Sequence, residues 1–124
     1  MALRVLIVDD SPATRFMLRD VIEADGHQVV AEAETVDAAV AAYREHRPDV
    51  VTLDLSLADG DGLTVLRSLR QLDAQVKVLV ITGNAQQKVM EEIAAAGACG
   101  VLPKPIDFDR VVDAIVRAAS GPSA

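Results

Sequence analysis

Five short runs rich in Val, Ile and Leu, each followed by a stretch with apolar residues at helical spacing, constrain this chain more than any other feature. The runs are Arg4–Val8, Gln28–Ala31, Asp49–Leu53, Val76–Ile81 and Cys99–Leu102. Their length and near-continuous apolar character fit strands covered on both faces. Between them, Ser11 and Pro12 supply a helix cap and a proline at the first helical position. Met17, Leu18, Val21 and Ile22 then read as a buried face opposite a wet face of Arg15, Arg19 and Glu23, and Gly26 ends the helix. Thr35 caps a second helix with Val36, Ala39, Val40 and Tyr43 on one stripe, closed by Pro48. Leu63, Leu66 and Leu69 mark a third helix. Val89, Met90 and Ile93 lie inward on a fourth, spanning residues 85–96 and ended by Gly97. Asp107 caps a last helix carrying Val111, Val112, Ile115 and Val116. A βα unit repeated five times predicts an α/β fold, a doubly wound parallel sheet in the order 2-1-3-4-5.

Composition narrows the rest. At 124 residues and 51% apolar, the chain has the size and core of one globular domain. The expected domain covers residues 1–119, with 120–124 a disordered tail or the start of a linker. A net charge of −7 repels phosphate backbones, so direct nucleic-acid binding is not expected. One cysteine, Cys99, excludes an internal disulfide and reads as a small core residue. No apolar run nears the ~20 residues of a membrane span, and no leader is evident, so the expectation is a cytoplasmic protein without membrane contact. His27 and His46 share no ligand spacing and read as solvated or helix-terminal.

In open α/β sheets the working surface lies at the carboxyl ends of the strands. Strand one ends in Asp9 and Asp10, strand three in Asp54, strand four in Thr82 and strand five in Lys104. Strand two ends in Ala31-Glu32, which joins nothing obvious. Three carboxylates drawn together need compensation, and a divalent cation with Lys104 would balance them. The donors are all oxygens, so Mg²⁺ is the natural metal. A hydroxyl and an ammonium suit the remaining oxygens of a transferred phosphoryl group, and Asp54 on the central strand is placed to attack as a nucleophile.

Four segments in order, LIVDDSP (Leu6–Pro12), VTLDLSLADGDG (Val51–Gly62), VITGN (Val80–Asn84) and LPKPI (Leu102–Ile106), resemble the receiver domains of the two-component response regulators. The resemblance covers essentially the whole chain and implies the flavodoxin-like form of the sheet. It implies that Asp54 accepts a phosphoryl group from a histidine kinase or histidine phosphotransfer protein. It further implies that Asp9, Asp10, Asp54 and the backbone carbonyl of Ser56 hold Mg²⁺. Thr82 and Lys104 would bind the phosphoryl oxygens, with Gly83 leaving room for the group, and the Lys104–Pro105 bond would be cis. Asp61 and Gly62 match the family's turn before the third helix. Ser56 and Asn84 would tune slow self-dephosphorylation. A downstream protein effector would meet the face made by helix 4, strand 5 and helix 5. Such a domain is a signalling switch rather than an enzyme acting on a separate substrate.

Two positions depart from the family pattern. Ala58 stands where proline is common, which should loosen the loop after Asp54. Val101 replaces the usual switch aromatic, so the signal is expected to travel through the loop after Thr82 and the fourth helix. Other readings of the same residues are weaker. A phosphohydrolase needs a general acid two residues beyond the nucleophile, where this chain has Ser56. A flavin would find one Tyr and two Phe to stack on. The Gly60-Asp61-Gly62 turn lacks the third glycine of a dinucleotide fingerprint.

Overall fold

The computed structural model describes residues 2–57, 62–84 and 86–121. Ala58, Gly60, Asp61 and Ala85, on which expectations above rest, and residues 122–124 of the expected tail lie outside the described residues.

The elements follow in strict alternation: β1 (Arg4–Val8), α1 (Pro12–Ala24), β2 (Gln28–Ala33), α2 (Val36–His46), β3 (Val50–Asp54), α3 (Gly62–Leu72), β4 (Val78–Thr82), α4 (Gln87–Ala95), β5 (Gly100–Pro103) and α5 (Val111–Ser120). The strands form one sheet in the order β2-β1-β3-β4-β5, and every pairing is parallel. This is the predicted order, and it puts β3 at the centre with β1 and β4 on either side.

Each sheet face carries its own core. One is built on Leu6, Val8, Val51, Leu53, Val78 and Val80 and covered by buried residues of α2, α3 and α4 such as Tyr43, Leu66 and Ile93. The other, on Val5, Ile7, Val50, Leu79 and Ile81, meets Leu18 and Ile22 of α1 and Val111 and Ile115 of α5. With few aromatics, both are aliphatic layers filled by branched side chains, which suits strands buried on both sides.

Local chemistry sets the ends. Ser11 caps α1 by accepting from the Thr14 amide, Pro12 follows it, and Gly26 takes φ +89° in the turn to β2. Thr35 caps α2 through the Ala38 amide. Asp107 does cap the last helical segment, but through a single 3-10 turn, Phe108–Arg110, that leads into α5.

Several expectations are corrected. Met17 is 48% exposed and Phe16 71%, because the buried stripe of α1 runs through Leu18 and Ile22, and residue 17 stands off that line. Val76 is buried, yet it lies in the turn before β4, where its amide bonds the Asp73 carbonyl. Strand two continues to Ala33, past the expected Ala31. His27 is helix-terminal, its amide closing the end of α1 on the Ile22 carbonyl at 3.3 Å, but it is not solvated, since it is buried and its Nδ1 accepts from the Leu3 amide at 2.9 Å. Cys99 packs half-buried against the second core, but just before β5 rather than in it, since the strand runs from Gly100 to Pro103.

Tyr43 ties α2 to the loop before β4. Its hydroxyl donates to Asp73 at 2.8 Å, and the Arg47 guanidinium lies 5.5 Å from its ring centroid. Burial and the Asp73 carboxylate push the Tyr43 phenol far above its ordinary range. The Gln75 amide first, and then the Tyr43 hydroxyl, hold the Asp73 carboxyl below its own. A carboxyl with a lowered folded pKa stabilises the fold above its ordinary value and loses that contribution as pH falls through the lowered one. Tyr43→Phe should therefore cost about 1 kcal/mol near neutral pH. Urea unfolding should show the gap to the native chain closing once Asp73 is protonated.

Candidate phosphoryl-acceptor site

The carboxyl ends of four strands converge on one crevice. Asp9 follows β1 and is 1% exposed, Asp54 closes β3 at 4%, and Thr82 closes β4 at 7%. Carboxylate oxygens of Asp9, Asp10 and Asp54 all lie within 4.8 Å of one another. Lys104 arrives from the far edge. Beyond β5 its amide donates to the Thr82 carbonyl at 3.0 Å, so it follows β4 one residue past the paired strand, and the Lys104–Pro105 bond is cis. Two strand spacings of about 4.8 Å separate β5 from β3, a gap that calls for a long unbranched side chain. Lys104 Nζ bridges both oxygens of Asp54 at 3.0 Å each.

Asp54 is held asymmetrically. Its Oδ1 accepts from the Ser56 amide at 3.0 Å, from Ser56 Oγ at 2.9 Å and from Lys104. Among the described residues Oδ2 accepts from Lys104 alone, so it is the less engaged oxygen. Asp9 is asymmetric too: Oδ1 takes the Ser11 amide at 2.8 Å, while Oδ2 is buried with no hydrogen-bond partner among the described residues. Burial, with the charges of Asp54 and Asp10 adding to it, raises the Asp9 carboxyl above its usual range, against the Ser11 amide and Lys104.

Thr82 Oγ1 accepts from the Asn84 amide at 3.0 Å, and Asn84 Oδ1 accepts from the Gln86 amide at 3.0 Å. Gln86 is the N-cap residue of α4 and caps it with no side-chain bond. Two hydrogen bonds thus connect the hydroxyl in the crevice to the start of α4. Gly83 is exposed, and a methyl there would meet Lys104 Cβ at 3.7 Å, an ordinary contact, so packing alone does not demand glycine. Gly62 is the opposite case. A Cβ would stand 2.5 Å from the Leu55 carbonyl oxygen and 2.6 Å from its Cα. Gly62→Ala should cost about 2 kcal/mol by overpacking, read as a lower urea midpoint, and should disturb the Asp54–Leu57 segment beside it.

The residues expected at the strand ends are therefore brought together. Val101 sits half-buried on β5 against the first core, paired with Val80 of β4. Two contributions were not foreseen. Ser56 binds the acceptor carboxylate through its hydroxyl, and Arg15, expected on a wet face, has a side chain only 14% exposed that reaches back to the Asp9 carbonyl. The sign that pointed to Arg15 was Glu32, the acid left without a role at the end of the second strand.

A family model for the response regulator receiver domain matches residues 5–116. The chain belongs to that family. The receiver is 42% identical over 115 residues to the chemotaxis protein CheY of Bacillus subtilis, covering 93% of this chain and 96% of that protein. A LuxR-family two-component response regulator from Aurantimonas superposes with a TM-score of 0.90 at 34% identity, covering 97% of this chain and 86% of the other. A CheX–CheY complex with BeF3 and Mg from Borrelia burgdorferi gives 0.86 at 29% identity, covering 91% and 86%. The receiver acts in two-component signalling, as a switch rather than a conventional enzyme. No helix among its described residues is long and apolar enough to cross a membrane.

Proposed function

We propose that Asp54 is the phosphoryl acceptor of this receiver, modified in a Mg²⁺-dependent reaction by a histidine kinase or histidine phosphotransfer protein. The observation that carries the reading is the meeting of Asp54 with Asp9, Asp10 and Lys104 at the sheet's carboxyl edge. The donor set fits Mg²⁺: three carboxylates, all oxygen, with a buried Asp9 oxygen that lacks a hydrogen bond. Asp9, Asp10, Asp54 and the Ser56 carbonyl would hold the ion, and it would supply positive charge to the transferring phosphoryl oxygens.

The remaining chemistry belongs to the chain. An Asp54 oxygen attacks phosphorus, the bond from phosphorus to the donor imidazole nitrogen breaks, and that nitrogen keeps the electron pair. Lys104 passes from the carboxylate to a phosphoryl oxygen, and the Thr82 hydroxyl bonds another. Gly83, where even a methyl would touch Lys104 Cβ at 3.7 Å, leaves room for the group by carrying no side chain. Ser56 must release Oδ1 as the charge moves outward. Ser56 and Asn84 then border the path of a hydrolytic water and set the rate of slow self-dephosphorylation.

The output is carried by α4. Turning Thr82 towards the phosphoryl group breaks its bond from Asn84 and, through Asn84, loosens the Gln86 amide at a helix start that no side chain caps. Val101 has no ring to swing inward. The switched face, α4, β5 and α5, meets a downstream protein effector, and the net charge of −7 disfavours direct contact with nucleic acid. The receiver unit runs through Ser120, the last residue of α5 and one past the expected bound of 119, and Lys77 Nζ donates to the Gly121 carbonyl at 2.8 Å. Amide shifts on phosphorylation should extend through residues 86–93; changes confined to the crevice would exclude this route.

The test of the acceptor is incubation with acetyl phosphate and Mg²⁺ followed by intact mass. The native chain should gain one phosphoryl group and Asp54→Ala none. Equal modification of both would overturn the assignment.

A further inference from the structure

Arg15 stands where a helix gains nothing from it. It lies in the first turn of α1, where a cation opposes the helix dipole by about 0.3–1 kcal/mol. Its side chain nevertheless folds back out of the helix. Nη1 donates to the Asp9 carbonyl oxygen at 2.7 Å, Nε bonds Glu32 at 3.0 Å, and Nη2 lies 3.7 Å from Glu34. Its own amide closes the first helical turn on the Ser11 carbonyl. The Asp9 peptide is thereby gripped on both sides, for its N–H donates to the Ala33 carbonyl at 2.9 Å. Both grips lead to the end of β2.

We propose that Arg15 is a positioning residue, fixing the Asp9 peptide against the acidic end of β2 so that the Asp9 carboxylate is held in place for the divalent cation. The fork geometry of guanidinium suits this. One rigid planar group bonds the carbonyl and Glu32 through two different nitrogens and turns a third towards Glu34, whereas an ammonium would have to gather all three partners around one atom. The bond to Asp9 is charge-assisted and partly buried, unlike the exposed ion pairs that contribute little. With the peptide fixed and Oδ1 engaged by the Ser11 amide, the unpartnered Oδ2 has little freedom left. Partners that orient a metal ligand in this way typically change affinity tenfold or more when removed. Glu32, unexplained at the end of the second strand, becomes the anchor of the arrangement.

Arg19 provides the control. It shares the anchor, its Nε bonding Glu32 at 2.8 Å, and carries the same charge, but its bonds run to Glu32 and Glu23 and not to the Asp9 peptide. The inference rests on the Mg²⁺ site proposed above. The experiment is a Mg²⁺ titration of the full chain, followed by the amide resonances of Asp10 and Asp54, for the native protein, Arg15→Met, Arg15→Lys and Arg19→Met. Arg15→Met should raise the Mg²⁺ Kd about tenfold and Arg19→Met less than about twofold, with Arg15→Lys between them. Acetyl phosphate labelling of Arg15→Met should recover at saturating Mg²⁺, because the groups around Asp54 are untouched. Equal shifts for Arg15→Met and Arg19→Met, or none for Arg15→Met, would overturn the role. Should Arg15→Met fail to fold, Arg15→Lys decides: a Kd above that of Arg19→Met supports the role and an equal one removes it. A native chain that binds no Mg²⁺ would instead end the site itself, a result visible before any variant is compared.

Discussion

Asp9→Asn should make the metal-free protein more stable while removing its response to Mg²⁺. Burial, with Asp54 and Asp10 close by, raises the Asp9 carboxyl above its ordinary range. The folded chain then holds that proton more tightly than the unfolded chain does. Stability contributed by Asp9 is complete below the ordinary carboxylate pKa and falls as pH rises through the folded value, so at neutral pH the ionised group destabilises the fold. Asparagine keeps an oxygen for the Ser11 amide and discards the charge. The thermal midpoint without Mg²⁺ should rise, by about 4 °C for each kcal/mol relieved, and its decline from acid towards neutral pH should flatten. Added Mg²⁺ should raise the midpoint of the native chain but not that of the variant, since ligand binding to the folded state alone is stabilising. A lower midpoint for Asp9→Asn in the absence of metal would mean that Asp9 is not a strained functional group.

Lys104→Met should destabilise by about 2 kcal/mol, below the 3–5 kcal/mol of a fully buried broken pair because the lysine is one-third exposed. It leaves Asp54, at 4% exposure, without its bridging cation and beside two further acids. Removing both charges together should cost far less. In the cycle of native chain, Lys104→Met, Asp54→Asn and the double variant, a coupling of about 1–2 kcal/mol is expected. Chemical denaturation at neutral pH without metal measures it. Additive effects would show that the ammonium does not neutralise Asp54 in solution. The same lysine is assigned to the phosphoryl oxygens, so Lys104→Met should also lose the shift changes at Thr82 and Asn84 on phosphorylation.

Periodicity carries burial, but neither the bounds of a hydrogen-bonded ladder nor contacts between distant residues. Strand order and the site were legible because strands buried on both faces are continuous apolar runs, and each useful residue is the first polar one after such a run: Asp9, Asp54, Thr82 and Lys104. The bounds slipped where burial continues past the hydrogen-bonded ladder. Val76 is as buried as a strand residue but lies in a turn. Met17 shows the reverse: a helix places residues at 100° steps, and membership of a stripe at its margin does not decide exposure. His27 turned inward because the Leu3 amide needs an acceptor, a partner 24 positions away that no local pattern announces. Arg15 escaped for the same reason, since Glu32 is 17 positions distant and only the β1–β2 pairing brings them together.

Every role assigned to Asp9, Asp10, Thr82 and Lys104 depends on Asp54 being the group that receives phosphorus. Its most direct test is to phosphorylate the native chain with acetyl phosphate and Mg²⁺, reduce the acyl phosphate with borohydride, and locate the resulting homoserine by peptide sequencing. Homoserine at position 54 alone is the predicted result. Homoserine at position 9 or 10, or a modified chain in which position 54 is still aspartate, would contradict it.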